Sequence, residues 1–219
     1  AVRNGRIGKL QTIYTGVPKG DVACPPQEPM PVPPELNYEL WQGHAPRAPY
    51  TEKRVHKPHA YDRPGWMRRL EYCDGMITNW GTHHNDLAQS ANNTDRTGPV
   101  EVEGRGTYPE PDSFWQVLLD FEVHYRYANG VKLVYRIDKP SLRFEGTEGW
   151  IYADDTGRIE ASKPSILEPP SGSNWTRLPM KIDKQDFIDA VRSRGETMAD
   201  AEVGHRTTSL CHLGHIAIQ

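Results

Sequence analysis

Two alternating segments joined by an Asn-Gly dipeptide constrain the fold of this chain more than any other feature. Residues 121–127 alternate apolar and polar side chains, and residues 131–137 do so again. Such alternation is typical of strands with one buried face, because successive side chains of a strand point to opposite sides. Asn129-Gly130 lies between the two segments and is the strongest short-range hairpin signal. The sequence therefore predicts an antiparallel hairpin over residues 121–137.

Other strands are predicted on either side of this hairpin. Residues 150–153 and 158–161 flank the turn-forming segment 154–157, which predicts a second hairpin. Residues 100–103 alternate, and residues 9–15 are partly β-branched, so each predicts a strand. The seven prolines in residues 17–36 predict a long arm without regular structure, and the Pro, Ser and Gly of residues 162–180 predict a loop.

Helices are predicted at three places. One spans about residues 79–91, and a second carries an apolar stripe of Phe187, Ile188 and Val191 and ends at Gly195. The third places Val203, Leu210, Leu213 and Ala217 on one helix.

This order of elements predicts an α+β fold: an open, mostly antiparallel β-sheet with helices packed on one face and long Pro-rich loops. The length suits one domain over residues 1–219. The last residues continue an apolar helical pattern and the first carry no start signal, so we expect this domain to be truncated at both ends.

Charge and cysteine content exclude several classes of protein. A net charge of −3 without basic–aromatic clusters argues against a nucleic-acid partner, and no apolar run reaches the ~20 residues that span a bilayer. Cys24, Cys73 and Cys211 include no Cys-x-x-Cys pair and predict three free thiols.

The expected compartment is the cytoplasm, or the periplasm if an export signal lies upstream.

The segment from Asn79 to Asp86 concentrates the groups that move protons. On a helix, His83 shares a face with Asn79 and is three residues from Asp86. His83 then has three interpretations: an acid/base oriented by Asn79 or Asp86, a metal ligand with His84 and Asp86, or a structural residue. Adjacent histidines on a helix diverge by about 100°, so we predict no metal site.

Other histidines and aromatic residues carry weaker signals. His212 and His215 are three residues apart, and could form a metal face or, the favoured interpretation, be ordinary surface or packing residues. Trp41, Trp66 and Trp80 could stack on sugars or belong to the core. Beside Trp66, three arginines could clamp an anionic substrate or form a solvated charged turn: Arg63, Arg68 and Arg69.

Several nucleotide and hydrolase motifs are missing from the sequence. It contains no Gly-x-Gly-x-x-Gly, no Gly-x-x-x-x-Gly-Lys-Ser/Thr and no Gly-x-Ser-x-Gly. We therefore do not expect this chain to hold a dinucleotide by itself.

Five motifs and the Pro-rich arm occur in an order that resembles the C-terminal domain of the Gfo/Idh/MocA oxidoreductases, the glucose–fructose oxidoreductase and inositol dehydrogenase family. The motifs are Gly5 to Leu10, Pro34 to Gly43, Asn79 to Asp86, Phe144 to Trp150 and Ala199 to Arg206. The likeness covers nearly the whole chain and is greatest to a bacterial sugar-dehydrogenase-like branch with a Trp-Gly-x-His-His signature.

The resemblance implies that the whole protein has two domains with different tasks. An N-terminal Rossmann domain would bind NAD or NADP and carry a catalytic lysine, and this chain is similar to the second domain alone. His83 matches the catalytic histidine of the family pattern Asp-x-Gly-x-His, and Asn79 stands at the position of the aspartate. An amide can orient an imidazole but cannot stabilise an imidazolium by charge, so we expect His83 to be a weaker base than in the family pattern.

We therefore hypothesise that this chain is the substrate-binding and oligomerisation domain of an NAD(P)-dependent oxidoreductase that acts on a sugar or polyol. It is expected to be inactive alone and to form a homo-oligomer through the open sheet face. Predicted catalytic residues are His83 and Asn79; predicted substrate-binding residues are Trp80, His84, Asp86, Trp66 and Arg68.

Two alternatives remain open. One is a non-oxidative keto-sugar lyase or hydratase of the same family, with a metal or a tightly held cofactor. The other is a non-catalytic assembly domain, whose exposed apolar strand residues would be Val123, Tyr125, Val131, Leu133 and Tyr135.

Overall fold

A single sheet organises the part of the chain that the computed structural model describes, residues 1–56, 63–168 and 182–219. Within these residues the sheet has seven strands in the order β2-β3-β4-β1-β5-β6-β7. The strands are β1 (Leu10–Val17), β2 (Glu101–Thr107), β3 (Asp120–Arg126), β4 (Lys132–Ile137), β5 (Ser141–Gly146), β6 (Trp150–Asp154) and β7 (Ile159–Ala161). The helices are α1 (Tyr38–Gln42), α2 (Glu52–Val55), α3 (Met76–Asn79), α4 (Gly81–Asn92), α5 (Asp183–Ser193) and α6 (Ala201–Ile218).

Strand β1 lies in the middle of the sheet. It runs parallel to β4, with Ile13 opposite Leu133, and antiparallel to β5, with Ile13 also opposite Phe144. The other strand pairs are antiparallel, so the predicted α+β fold with an open, mostly antiparallel sheet is confirmed. Strand β5 is not among the predicted strands, although Leu142 and Phe144 are buried in alternation there.

Both predicted hairpins form. In the first, Tyr127 N donates to Val131 O at 2.9 Å and Gly130 takes a φ of +86°, a left-handed conformation that costs glycine little. In the second, β6 pairs with β7 around Gly157, whose φ is +85°. The predicted strand at 100–103 extends to Thr107 and pairs with β3.

The apolar residues of β3 and β4 form the core beneath the helices. Tyr125 and Tyr135 are 2% and 0% exposed, and their hydroxyls donate to Leu210 O on α6 and Ile77 O on α3, each at 2.9 Å. The idea that Val123, Tyr125, Val131, Leu133 and Tyr135 form an exposed assembly surface is therefore wrong, because all five are buried. The opposite face of the sheet carries the alternate, more polar residues.

The helices are close to their predicted positions. The predicted helix over 79–91 forms as two, α3 and α4, separated by Trp80, which keeps right-handed helical angles. Helix α5 ends with Arg194 in the left-handed conformation, one residue before the predicted stop at Gly195. Its apolar stripe is exposed, with Phe187 at 63%.

Two further predictions concern loops and membranes. Residues 18–36 form the arm without helix or strand, as predicted, whereas most of the predicted loop at 162–180 lies outside the described residues. Across the described ranges, no helix has both the length and the apolar character needed to cross a bilayer.

Candidate active site

The start of helix α3 is fixed by the backbone conformation of Gly75 and by a hydrogen bond to Asp21. Gly75 has a φ of +67°, and a Cβ there would come within 2.5 Å of the Asp21 carboxylate. Met76 N donates to Asp21 Oδ2 at 2.7 Å, so the arm supplies an acceptor for the first turn of the helix. The sequence folds this way locally because only glycine combines that φ with such a close approach.

The inner face of α4 is locked against the sheet and α6. A Cβ on Gly81 would lie 2.4 Å from Tyr135 Oη and 2.9 Å from Cys211 Sγ, so glycine permits the contact. Asn85, which is 0% exposed, accepts from Thr15 Oγ1 at 3.1 Å and donates to Cys211 Sγ at 3.5 Å. This packing sets the rotation of α4 and therefore the direction of its outer side chains.

His84 points inward and is oriented by the backbone. Its Nδ1 lies 2.7 Å from Gly16 O, and because a carbonyl only accepts, Nδ1 carries the proton and Nε2 the free lone pair. Burial lowers the pKa of His84, although the bond to Gly16 opposes this effect. The ring also meets Trp80 edge-on, with centroids 5.6 Å apart. His84 is therefore a neutral, fixed imidazole at neutral pH.

His83 lies on the exposed side of α4. Its ring is 6.5 Å from that of Trp80, centroid to centroid. The Asp86 carboxylate accepts from Thr207 Oγ1 on α6 at 3.1 Å, and burial raises the pKa of Asp86. In the described chain neither Asn79 nor Asp86 forms a hydrogen bond with His83. The structure thus brings Asn79, Trp80, His83, His84 and Asp86 together on one short segment, with His83 the most accessible imidazole.

Trp66 and Arg68 lie on a separate 3₁₀ turn, Gly65–Arg68. Arg68 is 2% exposed; its Nη2 donates to Gly20 O at 3.0 Å, and its guanidinium lies 4.5 Å from the Trp115 ring centroid. Trp66 is half-buried. Arg68 therefore ties the arm to this turn, and its predicted contact with substrate stays a prediction.

The arginines near Trp66 clamp carboxylates of the chain itself. Arg63 Nη1 donates to Asp21 Oδ1 at 2.7 Å, and Arg69 Nε donates to Glu71 Oε2 at 3.0 Å. The alternative of a solvated charged turn is wrong for Arg68 and Arg69, because both are buried.

The sequence patterns gave no sign of a carboxylate–imidazole–phenol chain that is buried at Asp74 and His215 and exposed at Tyr108. His215 Nδ1 lies 2.7 Å from Asp74 Oδ2, and its Nε2 lies 2.8 Å from Tyr108 Oη. His212 Nδ1 lies 3.4 Å from the same Asp74 oxygen. His215 is buried, in agreement with the favoured interpretation as a packing residue. Its partner Asp74 is 141 positions away in the sequence, so no local spacing could have indicated the contact. Within the described ranges, no three His, Cys, Asp or Glu side chains are grouped to hold a metal ion.

Three solved structures with a similar fold are described as oxidoreductases or a dehydrogenase. The aldose-aldose oxidoreductase from Caulobacter crescentus, complexed with glycerol, is 13% identical with a TM-score of 0.61, covering 99% of this chain and 55% of its own. The WlbA dehydrogenase from Bordetella pertussis, in complex with NADH and UDP-GlcNAcA, is 13% identical with a TM-score of 0.60, covering 99% and 54%. An oxidoreductase from Agrobacterium radiobacter, in complex with NAD+, L-tartaric acid and magnesium, is 14% identical with a TM-score of 0.56, covering 99% and 56%.

This chain spans about half the length of these solved structures. No curated protein matches its sequence significantly. The family model described as "Oxidoreductase family, C-terminal alpha/beta domain" matches residues 22–219. The chain therefore belongs to the Gfo/Idh/MocA oxidoreductase family, of which it is a C-terminal α/β domain.

Proposed function

We propose that this chain is the substrate-side domain of an NAD(P)-dependent sugar or polyol oxidoreductase. The observation that supports this most strongly is the exposed imidazole of His83 beside Trp80, on a helix whose inner face is fixed by Gly81 and Asn85. A rigid support holds an acid/base group in place without consuming its hydrogen-bonding capacity. Family membership makes oxidation of a hydroxyl the reaction that such a group would serve.

In this proposal the chain handles the proton of the reaction. Oxidising a sugar hydroxyl removes a proton from oxygen and a hydride from the carbon that bears it. The His83 imidazole takes the proton, while the Trp80 indole covers an apolar face of the sugar ring. Asn79 and Asp86 contact neighbouring hydroxyls, whereas His84, which faces inward, holds the helix that carries His83. These roles use three polar side chains of the segment for one substrate: Asn79, His83 and Asp86.

The dinucleotide belongs to another part of a longer protein in this proposal. Strand β1 leads into the Pro-rich arm, and not into a glycine loop and helix that would cradle phosphates. The residues present therefore do not fit the cofactor, whose nicotinamide would accept the hydride. The complexes of the Bordetella and Agrobacterium proteins with NADH and NAD+ support a nicotinamide cofactor for the full-length protein.

We further propose that copies of the protein associate through the face of the sheet opposite α4 and α6. That face carries His124, Arg143 and Tyr152, the alternates of buried strand residues, and Arg143 lies 4.3 Å from the Trp150 ring centroid. Large polar and aromatic side chains of this kind are frequent at interfaces. Light scattering is expected to show a dimer or larger species, and a monomer at working concentration would refute this association.

The test of the catalytic proposal is substitution of His83→Ala in the full-length protein. We expect kcat to fall about a hundredfold or more, because general acid–base groups contribute at least this much. His44→Ala, an exposed histidine in the loop after α1, is the matched control and is expected to keep full turnover. Unchanged turnover in the His83 variant, with normal circular dichroism, would refute the assignment.

A further inference from the structure

Helix α5 turns its polar side towards the rest of the chain and its apolar side away from it. Of its eleven residues, all within the described ranges, only Asp186 is buried, at 4% exposed. The apolar stripe of Phe187, Ile188 and Val191 is 63%, 43% and 51% exposed. These three side chains lie between about 100° and 200° around the helix from Asp186. This arrangement is the reverse of an ordinary surface helix, whose apolar side packs on the core.

A hydrogen bond from the connection between α5 and α6 supports this orientation. Asp186 Oδ2 accepts from Met198 N at 2.6 Å, so the buried side of α5 is held by a polar contact. Ile182 and Met198, which flank the helix in the sequence, are exposed as well. Single exposed apolar residues need no explanation, whereas neighbouring ones on one helix face mark an interaction site.

The beginning of the chain lies close to the end of α5. Arg3 donates from its guanidinium to Asn93 Oδ1, directly after α4. Three residues further along, Arg96 pairs with Glu196 at 4.0 Å and also with Asp200, both in the connection between α5 and α6. The first residues and the tail of α5 are therefore both at the carboxyl end of α4. A domain that precedes the first residue would join the molecule beside α5.

The length of similar proteins leaves room for such a domain. The matching family model describes a C-terminal domain, and this chain covers only 54% to 56% of the three solved structures. In the proposed function, the remaining part holds the nicotinamide dinucleotide. A second copy is the weaker candidate for covering the stripe, because the proposed association of copies uses the face of the sheet opposite α4 and α6.

We propose that the apolar stripe of α5 is the docking surface for the N-terminal, dinucleotide-binding domain of the full-length protein. Docking buries Phe187, Ile188 and Val191 and leaves the bond between Asp186 and Met198 in place. The inference rests on the proposed function, which supplies the second domain, and adds the surface that this domain contacts.

Photo-crosslinking in the full-length protein identifies what covers the stripe. Phe187→p-benzoylphenylalanine keeps an aromatic side chain and, on irradiation, bonds to the C–H groups next to it. We expect a crosslink within one chain, which mass spectrometry maps to a residue upstream of Ala1. Ile216→p-benzoylphenylalanine is the matched control, because Ile216 is 64% exposed on α6 but about 24 Å further along that helix than Asp200. It should give no crosslink to the upstream domain.

Trypsin cleavage provides a second measurement. Arg192 and Arg194 are exposed at the end of α5. Phe187→Asp places a carboxylate in the proposed interface of the full-length protein. We expect trypsin to cut this variant after Arg192 or Arg194 about tenfold faster, because cleavage follows the population of the open form. Ile216→Asp should be cut as slowly as the unsubstituted protein. If Phe187→Asp does not fold, the crosslink decides the question.

Three results would overturn the proposal. The first is a crosslinked product of twice the chain mass, which would make a second copy the partner. The second is a crosslink only within residues 1–219, or none at all, and the third is equal cleavage of the two aspartate variants. These measurements report a contact and not turnover, so their failure leaves the assignment of His83 intact. Unchanged turnover in the His83→Ala variant would likewise leave the docking surface intact.

Discussion

The two faces of α4 differ in how completely their polar groups are engaged. On the inner face, Asn85 and His84 bond to β1 and α6 and are almost fully buried. On the outer face, His83 is exposed and contacts the Trp80 ring. The inner groups are fixed because unsatisfied buried polar atoms are costly. The outer group stays available, which is what a substrate requires.

Adjacent residues of one sequence motif can therefore have opposite tasks. His83 and His84 look equivalent in the sequence, but a turn of about 100° between them separates support from reactivity. Four measurements can test whether the two faces differ in this way.

The largest expected effect is a difference in labelling rate between two thiols, Cys211 at the inner face of α4 and Cys73 outside it. Cys211, which touches the inner face, is 0% exposed, and burial raises its pKa to about 12. Cys73 is only half-buried. In the native chain at pH 8 we expect Cys73 to react with a disulfide reagent at least about a hundredfold faster than Cys211, because the thiolate is the reactive form.

Cys73→Ser is the control for that labelling experiment. It should remove the fast phase and leave Cys211 to react only after denaturant is added. Fast modification of Cys211 in this variant, located by mass spectrometry and so distinguished from Cys24, would show that the inner face of α4 opens readily.

Gly81→Ala should be the most damaging substitution on the inner face. The new Cβ would lie 2.4 Å from Tyr135 Oη, so we expect a loss of about 2–3 kcal/mol in the free energy of unfolding. Gly204→Ala is the matched control within α6: its Cβ meets nothing within 4 Å, so alanine should stabilise by up to about 1 kcal/mol. Urea unfolding measures both.

The cause of the Gly81 effect can be separated from a general loss of helix. In a Tyr135→Phe background the clashing hydroxyl is gone, and Gly81→Ala should then cost less. An equal cost in both backgrounds would contradict the close-approach explanation.

Local sequence patterns predict most of the strands and helices but not which strands pair with one another. The hairpin around Asn129-Gly130 follows from alternation and a turn dipeptide that are both local. The insertion of β1 between β4 and β5 does not, because pairing Ile13 with Leu133 and Phe144 joins distant segments. Helical periodicity likewise identified the apolar side of α5 without telling what, if anything, covers it.

The candidate site shows the same limit at the level of single residues. The Asn79 to Asp86 segment was recognisable from its composition. Which of its two histidines faces inward was not, because that depends on Gly16 and on the packing of Gly81. The sequence predicts that Arg68 contacts substrate or lies in a solvated charged turn, yet it is buried beside Trp115 and the arm.

The pH dependence of stability should report His84. Burial lowers its pKa below the ordinary value of 6.5, so the unfolded chain binds this proton more readily than the folded one. Its contribution to stability is complete above pH 6.5 and is lost as the pH falls from 6.5 through the lowered pKa. His84→Asn keeps a donor near Gly16 O without titrating, so urea unfolding between pH 8 and pH 5 should show a shallower loss of stability. Identical pH profiles would contradict the orientation assigned to His84.

The smallest expected effect on stability is the most informative about function. His83→Ala should change the free energy of unfolding by no more than about 0.5 kcal/mol, as exposed substitutions do. His84→Ala should cost about 2 kcal/mol, because it removes a buried ring and its bond to Gly16. Urea unfolding of the two variants measures both losses as changes in the free energy of unfolding. If the His83 variant proved as unstable as the His84 variant, its loss of turnover would reflect folding, and the outer face of α4 would have no separate catalytic task.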